Sequence, residues 1–337
     1  MIALSVLDQS PIPSGADATT AFANTTELAQ LADRLGYRRY WVAEHHGTNS
    51  LAGSAPEVLI AHLAASTSNI RVGSGGVMLP HYSSLKVAEQ FHVLASLYPD
   101  RIDLGIGRAP GGDRLTMIAL QRNREHPAGD DFLDQMAELI AWFSNRFPPE
   151  HAFSRTAATP VPRVEPAIWL LSSSGYSVAA AAHFGVGISW AHFISGEGGP
   201  DGLRHYRENF KAVREGDEPA TSVALSVICA DTDEEAELLA TSSQLRRVRS
   251  RLYGEQGPIP SVAEALAYEY SDSERAFLAD ANNRMIIGGP ETVRAEIEQH
   301  VATYGVGEVV VVTITHDHRA RLRSYELLAN EFDLRAE

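Results

Sequence analysis

The stretch AIWLLSSSGYSVAAAAHFGVGISW, residues 167–190, holds two apolar, β-rich segments around an alanine-rich one. AIWLLS (167–172) and VGISW (186–190) read as strands, and SVAAAAHFG (177–185) as a helix that stops on its glycine. Strands joined through a helix lie parallel in one sheet, since antiparallel neighbours need only a tight turn. Outward from this unit the alternation repeats. Further strands are read at 2–8, 39–44, 70–79, 101–107, 221–230 and 306–314. Helices are read near 18–35, 56–67, 84–97, 130–146, 200–214, 290–304 and 318–332. Eight strands, each followed by helix, predict an α/β fold of the (β/α)8 TIM-barrel type. An open doubly wound sheet is the alternative for the same alternation.

Two stretches interrupt the pattern. PPEHAFSRTAATPVPRVEP (148–166) is proline-rich and reads as a loop over the barrel mouth. Residues 243–283 read as helical pieces broken at YGEQGPIPS (253–261), an insertion suited to shaping a substrate pocket. No repeat or linker separates a second domain, so residues 1–337 read as one domain.

Composition narrows the function classes. The 337 residues are 44% hydrophobic and carry a net charge of −15, which argues against a nucleic-acid or anionic-membrane partner. Cys229 stands alone in an apolar strand, so no internal disulfide or thiolate metal cluster is possible and a buried, inert thiol is expected. The opening MIALSVLDQSP has no positive flank and Asp8 breaks its apolar run, so it does not read as a signal peptide. No apolar run approaches the roughly 20 residues of a membrane span. A cytoplasmic protein is expected.

The strand ends carry the chemistry. Parallel α/β folds gather their sites where strands end, and here those ends are Glu44-His45-His46, Gly75-Gly76, Gly107-Arg108, Ser172-Ser173-Ser174 and Ser189-Trp190. Adjacent histidines on extended chain point to opposite sides, which argues against one shared metal. One of them facing the mouth suits acid/base work or hydrogen bonding, with a packed histidine as the alternative. GIGRAPGG (105–112) is not a dinucleotide fingerprint, because Pro110 stands where the third glycine belongs. Glycines at strand ends instead allow a flat ring to approach the backbone. Arg108 offers a fork for a phosphate, unless it pairs with Asp103 or Asp113. Ser173, Ser174 and Ser177 open a helix and suit the same anion, although a simple N-cap also uses serine. Asp8, Gln9, His81, Tyr82, Trp190 and His192 are candidates to face substrate, with packing as the alternative for each. Read this far, the residues describe a barrel enzyme for a phosphorylated, planar cofactor.

Several segments together carry a resemblance: YWVAEHHGTNSLAGSAPEVLIAHLAAST (40–67), IRVGSGGVMLP (70–80), VAEQFHVLASLYPDRIDLGIGRAPGG (87–112), Ser172–Gly185, and the closing stretch from Ile287 to Phe332. In order and over nearly the whole chain, they resemble the bacterial luciferase-like flavin monooxygenases, most closely the single-chain alkanal-monooxygenase-type subgroup. The resemblance implies a (β/α)8 barrel that takes reduced FMN from a separate NAD(P)H:flavin reductase. It also implies O2 activation through a C4a-peroxyflavin and oxygenation of a small organic substrate such as an aldehyde or ketone. By position, His45 matches the family's active-site histidine and Arg108 its phosphate-binding arginine. Ser173, Ser174 and Ser177 match its phosphate turn, and Gly75-Gly76 its non-prolyl cis peptide beneath the flavin. Gly107 stands where luciferase carries a cysteine, which implies more space near the reactive carbon, and the luciferase lid is not recognisable in 243–283, so the resemblance does not extend to light emission or a long-chain aldehyde substrate. F420-dependent hydride transfer on the same scaffold and a non-catalytic flavin-binding protein are the alternatives. A homodimer through the helices near 56–67 and 84–97 is also implied.

Overall fold

Ten strands are built from the β-rich segments: β1 (Ala3–Asp8), β2 (Arg39–Val42), β3 (Arg71–Ser74), β4 (Val77–Met78), β5 (Ile102–Gly107), β6 (Ala167–Ser172), β7 (Gly187–Ala191), β8 (Thr221–Cys229), β9 (Met285–Gly288) and β10 (Glu308–Val312). They belong to a computed structural model that describes residues 2–108, 112–120, 131–213, 216–282 and 284–336. All the pairings are parallel and run β10–β1–β2–β3–β5–β6–β7–β8, with β8 pairing back to β10, so the sheet closes. The expected (β/α)8 barrel is therefore the fold, with helices between successive strands. The read strand over 70–79 is divided at Gly75-Gly76, after which β4 resumes pairing with β5.

Side-chain alternation sorts the core into two layers. Leu7, Trp41, Trp169, Ala224 and Val310 fill the barrel interior, with the two indoles edge to face at 5.4 Å. Leu4, Val6, Tyr40, Val42, Leu104 and Ile188 take the other parity and pack under the helices. At the barrel floor a charged network replaces apolar filling. Arg39 donates to Asp103 (2.8 Å) and to Glu308 (2.6 Å), and Arg71 donates to the other Asp103 oxygen (2.6 Å). Ser5 and the Trp41 indole donate to Glu308 and Asp103, leaving the buried carboxylates fully partnered.

The two insertions fall at opposite ends. Residues 148–166 connect the helix Phe132–Ser144 to the start of β6, so they enter from the N-terminal ends of the strands. There Phe153 packs on Trp142 at 5.5 Å and Glu165 meets His92 at 3.0 Å. Their expected place over the mouth is corrected: a helix-to-strand connection in a parallel barrel lies on the face opposite the strand ends. Residues 243–283 do reach the mouth. Their first helical piece is the end of a longer helix, Asp233–Tyr253, which Thr232 caps and whose first ten residues lie outside the expected insertion, followed by Val262–Leu266 and Asp272–Asn282. The intervening strap is laced to the loop after β1, where Ser14 N–H donates to the Ile259 carbonyl and Ile259 N–H to that of Ile12, both at 2.8 Å. β9, also unforeseen, extends the sheet along the last residues of β8. No described helix is long and apolar enough to cross a membrane, and Cys229 is buried and free.

Candidate active site

Past β2 the triplet Glu44-His45-His46 divides as extended chain requires. Glu44 is fully buried and accepts from Met78 N–H (2.9 Å), from the Tyr82 hydroxyl (2.6 Å) and from His46 Nε2 (2.7 Å). His46 is thereby committed to a carboxylate. The His46 ring also lies edge-on to His81 at 6.2 Å. His45 takes the inward parity, and its Nδ1 is buried without a hydrogen-bond partner among the described residues. Burial first, then the positive charges of Arg246 and His46, lowers its pKa to about 4. His45 is thus a neutral imidazole at pH 7, ready to accept a hydrogen bond or a proton at the barrel mouth. No group of three His, Cys, Asp or Glu that could hold a metal occurs among the described residues.

Beside it the wall is bare backbone. The Gly75–Gly76 peptide bond is cis. A Cβ on Gly76 would stand 2.7 Å from the Gly105 carbonyl oxygen, and one on Gly105 would collide with the Ser74 carbonyl. Strand-to-strand approach therefore demands glycine at both positions and leaves a surface without side chains. At Gly107 the nearest atom to a Cβ would be Met78 Sδ, 3.1 Å away, so flexible side chain rather than backbone borders it.

The third part of the site joins Arg108 to the serine turn after β6. Arg108 pairs with neither carboxylate that the sequence offered it. Asp103 is occupied by Arg39 and Arg71, and Asp113 caps the helix Arg114–Leu120 through Thr116 N–H. The Arg108 guanidinium instead lies exposed, 4.2 Å over the Tyr176 ring. Tyr176 is in the first turn of the helix Gly175–Phe184, whose N-cap, Ser174, makes no side-chain capping bond. Ser172 Oγ donates to the Ser174 carbonyl at 2.5 Å and holds the turn. Ser173 is half-buried, Ser174 exposed and Ser177 buried in that first turn. An uncapped helix start, three serines and a guanidinium suit a phosphate. Ala109 to Gly111, including Pro110, lie outside the described residues.

Two of the substrate-facing candidates are corrected. Asp8 is fully buried on the outward parity, bonded to Arg321 (2.5 Å), to the Tyr40 hydroxyl (2.5 Å) and to Ser10 N–H (2.7 Å). Burial opposes its ionisation, but Arg321 and Tyr40 outweigh it and hold the carboxyl below its usual range. Trp190 also points outward: it is 1% exposed, its indole N–H donates to the Ser195 carbonyl at 2.8 Å, and it packs beneath Gly199 and Gly202. His192 hydrogen-bonds Tyr304 (2.7 Å), in the helix that precedes β10. His81 and Tyr82 adjoin Glu44 and His46, so they line the site's flank. The residue that sequence reasoning passed over is Arg246, from the helix Asp233–Tyr253. Its run, QLRRVRSR (244–251), has the composition of a solvated helix face.

A sequence profile of the luciferase-like monooxygenases matches residues 2–307. The chain belongs to that family. It is 46% identical over 336 residues to the Bacillus subtilis (strain 168) protein YwcH, covering 98% of this chain and 99% of that one. A family member named N-acetyl-S-alkylcysteine monooxygenase, from the same organism, is 40% identical over 333 residues, with 98% of each chain covered. Among solved structures, apo-MsnO8 superposes with a TM-score of 0.90 at 39% identity, covering 99% of both chains. More distant structures share the fold. One is the oxygenating constituent of 3,6-diketocamphane monooxygenase, in complex with FMN (TM-score 0.70, 19% identity, 98% and 97% covered). Another is an F420-dependent secondary alcohol dehydrogenase (TM-score 0.69, 14% identity, 98% of each chain covered).

Proposed function

We propose that this family member is an FMN-dependent monooxygenase acting on a small organic substrate at the mouth beside His45. The observation that carries the reading is the alignment of three features: a wall of backbone at Gly75, Gly76 and Gly105, a phosphate cradle at Arg108 and Ser173–Ser177, and a buried, unpartnered His45 nitrogen. A flat, phosphorylated ring system fits this set. Arg108, Ser173, Ser174 and Ser177 would hold the phosphate, and Gly75, Gly76 and Gly107 would border the ring. Reduced FMN, when bound, supplies the electrons for O2 activation, one oxygen atom entering the substrate and the other leaving as water. His45, neutral at pH 7, accepts or returns a proton at Nδ1, and the strap at 254–261 limits water at the mouth. Partner expectations follow from the same reading: a separate NAD(P)H:flavin reductase, and a second copy of the chain. Val58, Val93 and Leu97, exposed on the helices Pro56–Ser66 and Ser84–Leu97, support the second copy.

The test mixes anaerobic protein and reduced FMN with oxygenated buffer in stopped flow. Reoxidation slower than that of free reduced FMN is expected, and His45→Ala should return it toward the free rate. A substrate screen that includes N-acetyl-S-alkylcysteines, aldehydes and ketones should then yield a product carrying one 18O atom from labelled O2. Reoxidation at the free rate in the unaltered protein, together with turnover of reduced F420, would move the assignment to hydride transfer. Tight FMN binding with no turnover would leave a flavin-binding protein.

A further inference from the structure

Among the described residues, Arg246 is a cation without a paired carboxylate. It comes from the middle of the helix Asp233–Tyr253 and lines a pocket with Ser14, Ser50, Arg249, Ser250 and Glu264. Its Nε is shut off from solvent without a hydrogen-bond partner, and among the described residues no carboxylate forms an ion pair with it. The pocket's carboxylates are engaged elsewhere: Glu264 bonds Arg249 at 2.7 Å, and Glu255 lies 3.9 Å from the same guanidinium. Arg246 as a whole is half-buried, but a guanidinium nitrogen shut off from water without a partner is a cost that an apolar side chain at the same position would not carry. Burial lowers its pKa to about 10, with Arg251 adding to the effect, so it stays charged at neutral pH. The pocket adjoins the proposed reaction site. Ser50 follows His45 on the loop after β2, the strap that borders the pocket bonds Asn49 N–H through the Gln256 carbonyl (2.9 Å), and the Arg246 charge is felt at His45. The phosphate cradle, by contrast, is built on β5 and β6 with its own arginine.

We propose that Arg246 is the anchor for an anionic group of the organic substrate, so that the enzyme selects organic acids carrying a carboxylate or sulfonate. The proposal rests on the reading that chemistry occurs at the mouth beside His45. A fork of donors in a partly enclosed pocket recognises a carboxylate through paired, charge-assisted hydrogen bonds, with the Ser50 and Ser250 hydroxyls at hand for its remaining lone pairs. The rest of the substrate then extends from Arg246 toward His45. A neutral molecule of the same shape would leave the guanidinium unpaired on binding, which is a strong basis for selectivity.

The experiment titrates the full-length protein with hexanoate, hexanesulfonate and hexanamide by ligand-observed NMR at constant ionic strength. FMN affinity is measured in parallel by fluorescence quenching. Both anions should bind at least about tenfold more tightly than the amide, the size expected for a charge-assisted pair. Arg246→Met should erase that preference while leaving FMN affinity unchanged. Arg246→Lys, which keeps the charge and loses the fork, should retain the preference with weaker binding, and it serves if the methionine variant does not fold. Equal binding of anions and amide to the unaltered protein overturns the proposal. A loss of FMN affinity in Arg246→Met also overturns it, because the arginine would then serve the cofactor's phosphate. Preference for the anions in a protein that fails to bind FMN would sink the flavin reading and leave the acid site standing.

Discussion

At the scale of single residues, the site is ordered by which side of a strand a side chain takes. His45 and His46 are neighbours in sequence, yet one holds a buried nitrogen at the mouth and the other is bonded to Glu44. The same parity explains why Asp8 and Trp190, at strand ends and polar or aromatic, belong to the layer beneath the helices. Whether a residue ends a strand is legible from its neighbours; which way it points depends on the phase of the strand, and one step reverses it. Tyr82 shows how the flank is held. Its hydroxyl donates to a fully buried carboxylate, so Tyr82→Phe removes one of three donors to Glu44. A loss of about 1.5–3 kcal/mol is expected, measured as a lower urea midpoint. An unchanged midpoint would mean that water replaces the hydroxyl there.

At the scale of elements, strap 254–261 is the part that alternation did not foresee in detail. Gly, Pro and Gln in YGEQGPIPS signal a break between helices, and the break is real: the helix ends at Tyr253, with Gly254 left-handed (φ 69°) as its stop. What the break does next is a long-range event. Ile259 is fully buried, and its backbone exchanges hydrogen bonds with Ile12 and Ser14, some 245 residues earlier in the chain. Ile259→Ala keeps those backbone bonds but opens a cavity under the strap. It should cost about 2–4 kcal/mol and raise amide hydrogen exchange across 255–260. Exchange confined to the chain termini would contradict a packed strap.

At the scale of the whole molecule, closure depends on the floor network. Arg39 on β2 binds Asp103 on β5 and Glu308 on β10, while Ser5 on β1 and Arg71 on β3 complete the ring of contacts. Five strands are thus joined through two guanidiniums, one hydroxyl and two carboxylates. Arg39→Met leaves both carboxylates buried with less compensation, and about 3–5 kcal/mol of stability should be lost in urea unfolding. A cost below about 1 kcal/mol would show that Arg71 and Arg38, 3.5 Å from Glu308, take over the charge.

The sequence by itself determined the eight barrel strands, their parallel order, and which polar residues stand at the strand ends. Those features arise from local composition: apolar runs of strand length, glycine stops, and polar residues where a core would want aliphatic ones. It also supplied the residues of the proposed phosphate cradle, since Arg108 and the serine turn are adjacent to strand ends and need no distant partner to be read. Tertiary structure alone decided the rest. It placed residues 148–166 at the foot of the barrel, turned Asp8 and Trp190 outward, and brought Arg246 from a charged helical run into a pocket with Ser14 and Ser50, near enough for its charge to act on His45. Each of these outcomes depends on which face of an element is buried and on contacts hundreds of residues apart, and no local pattern encodes either one.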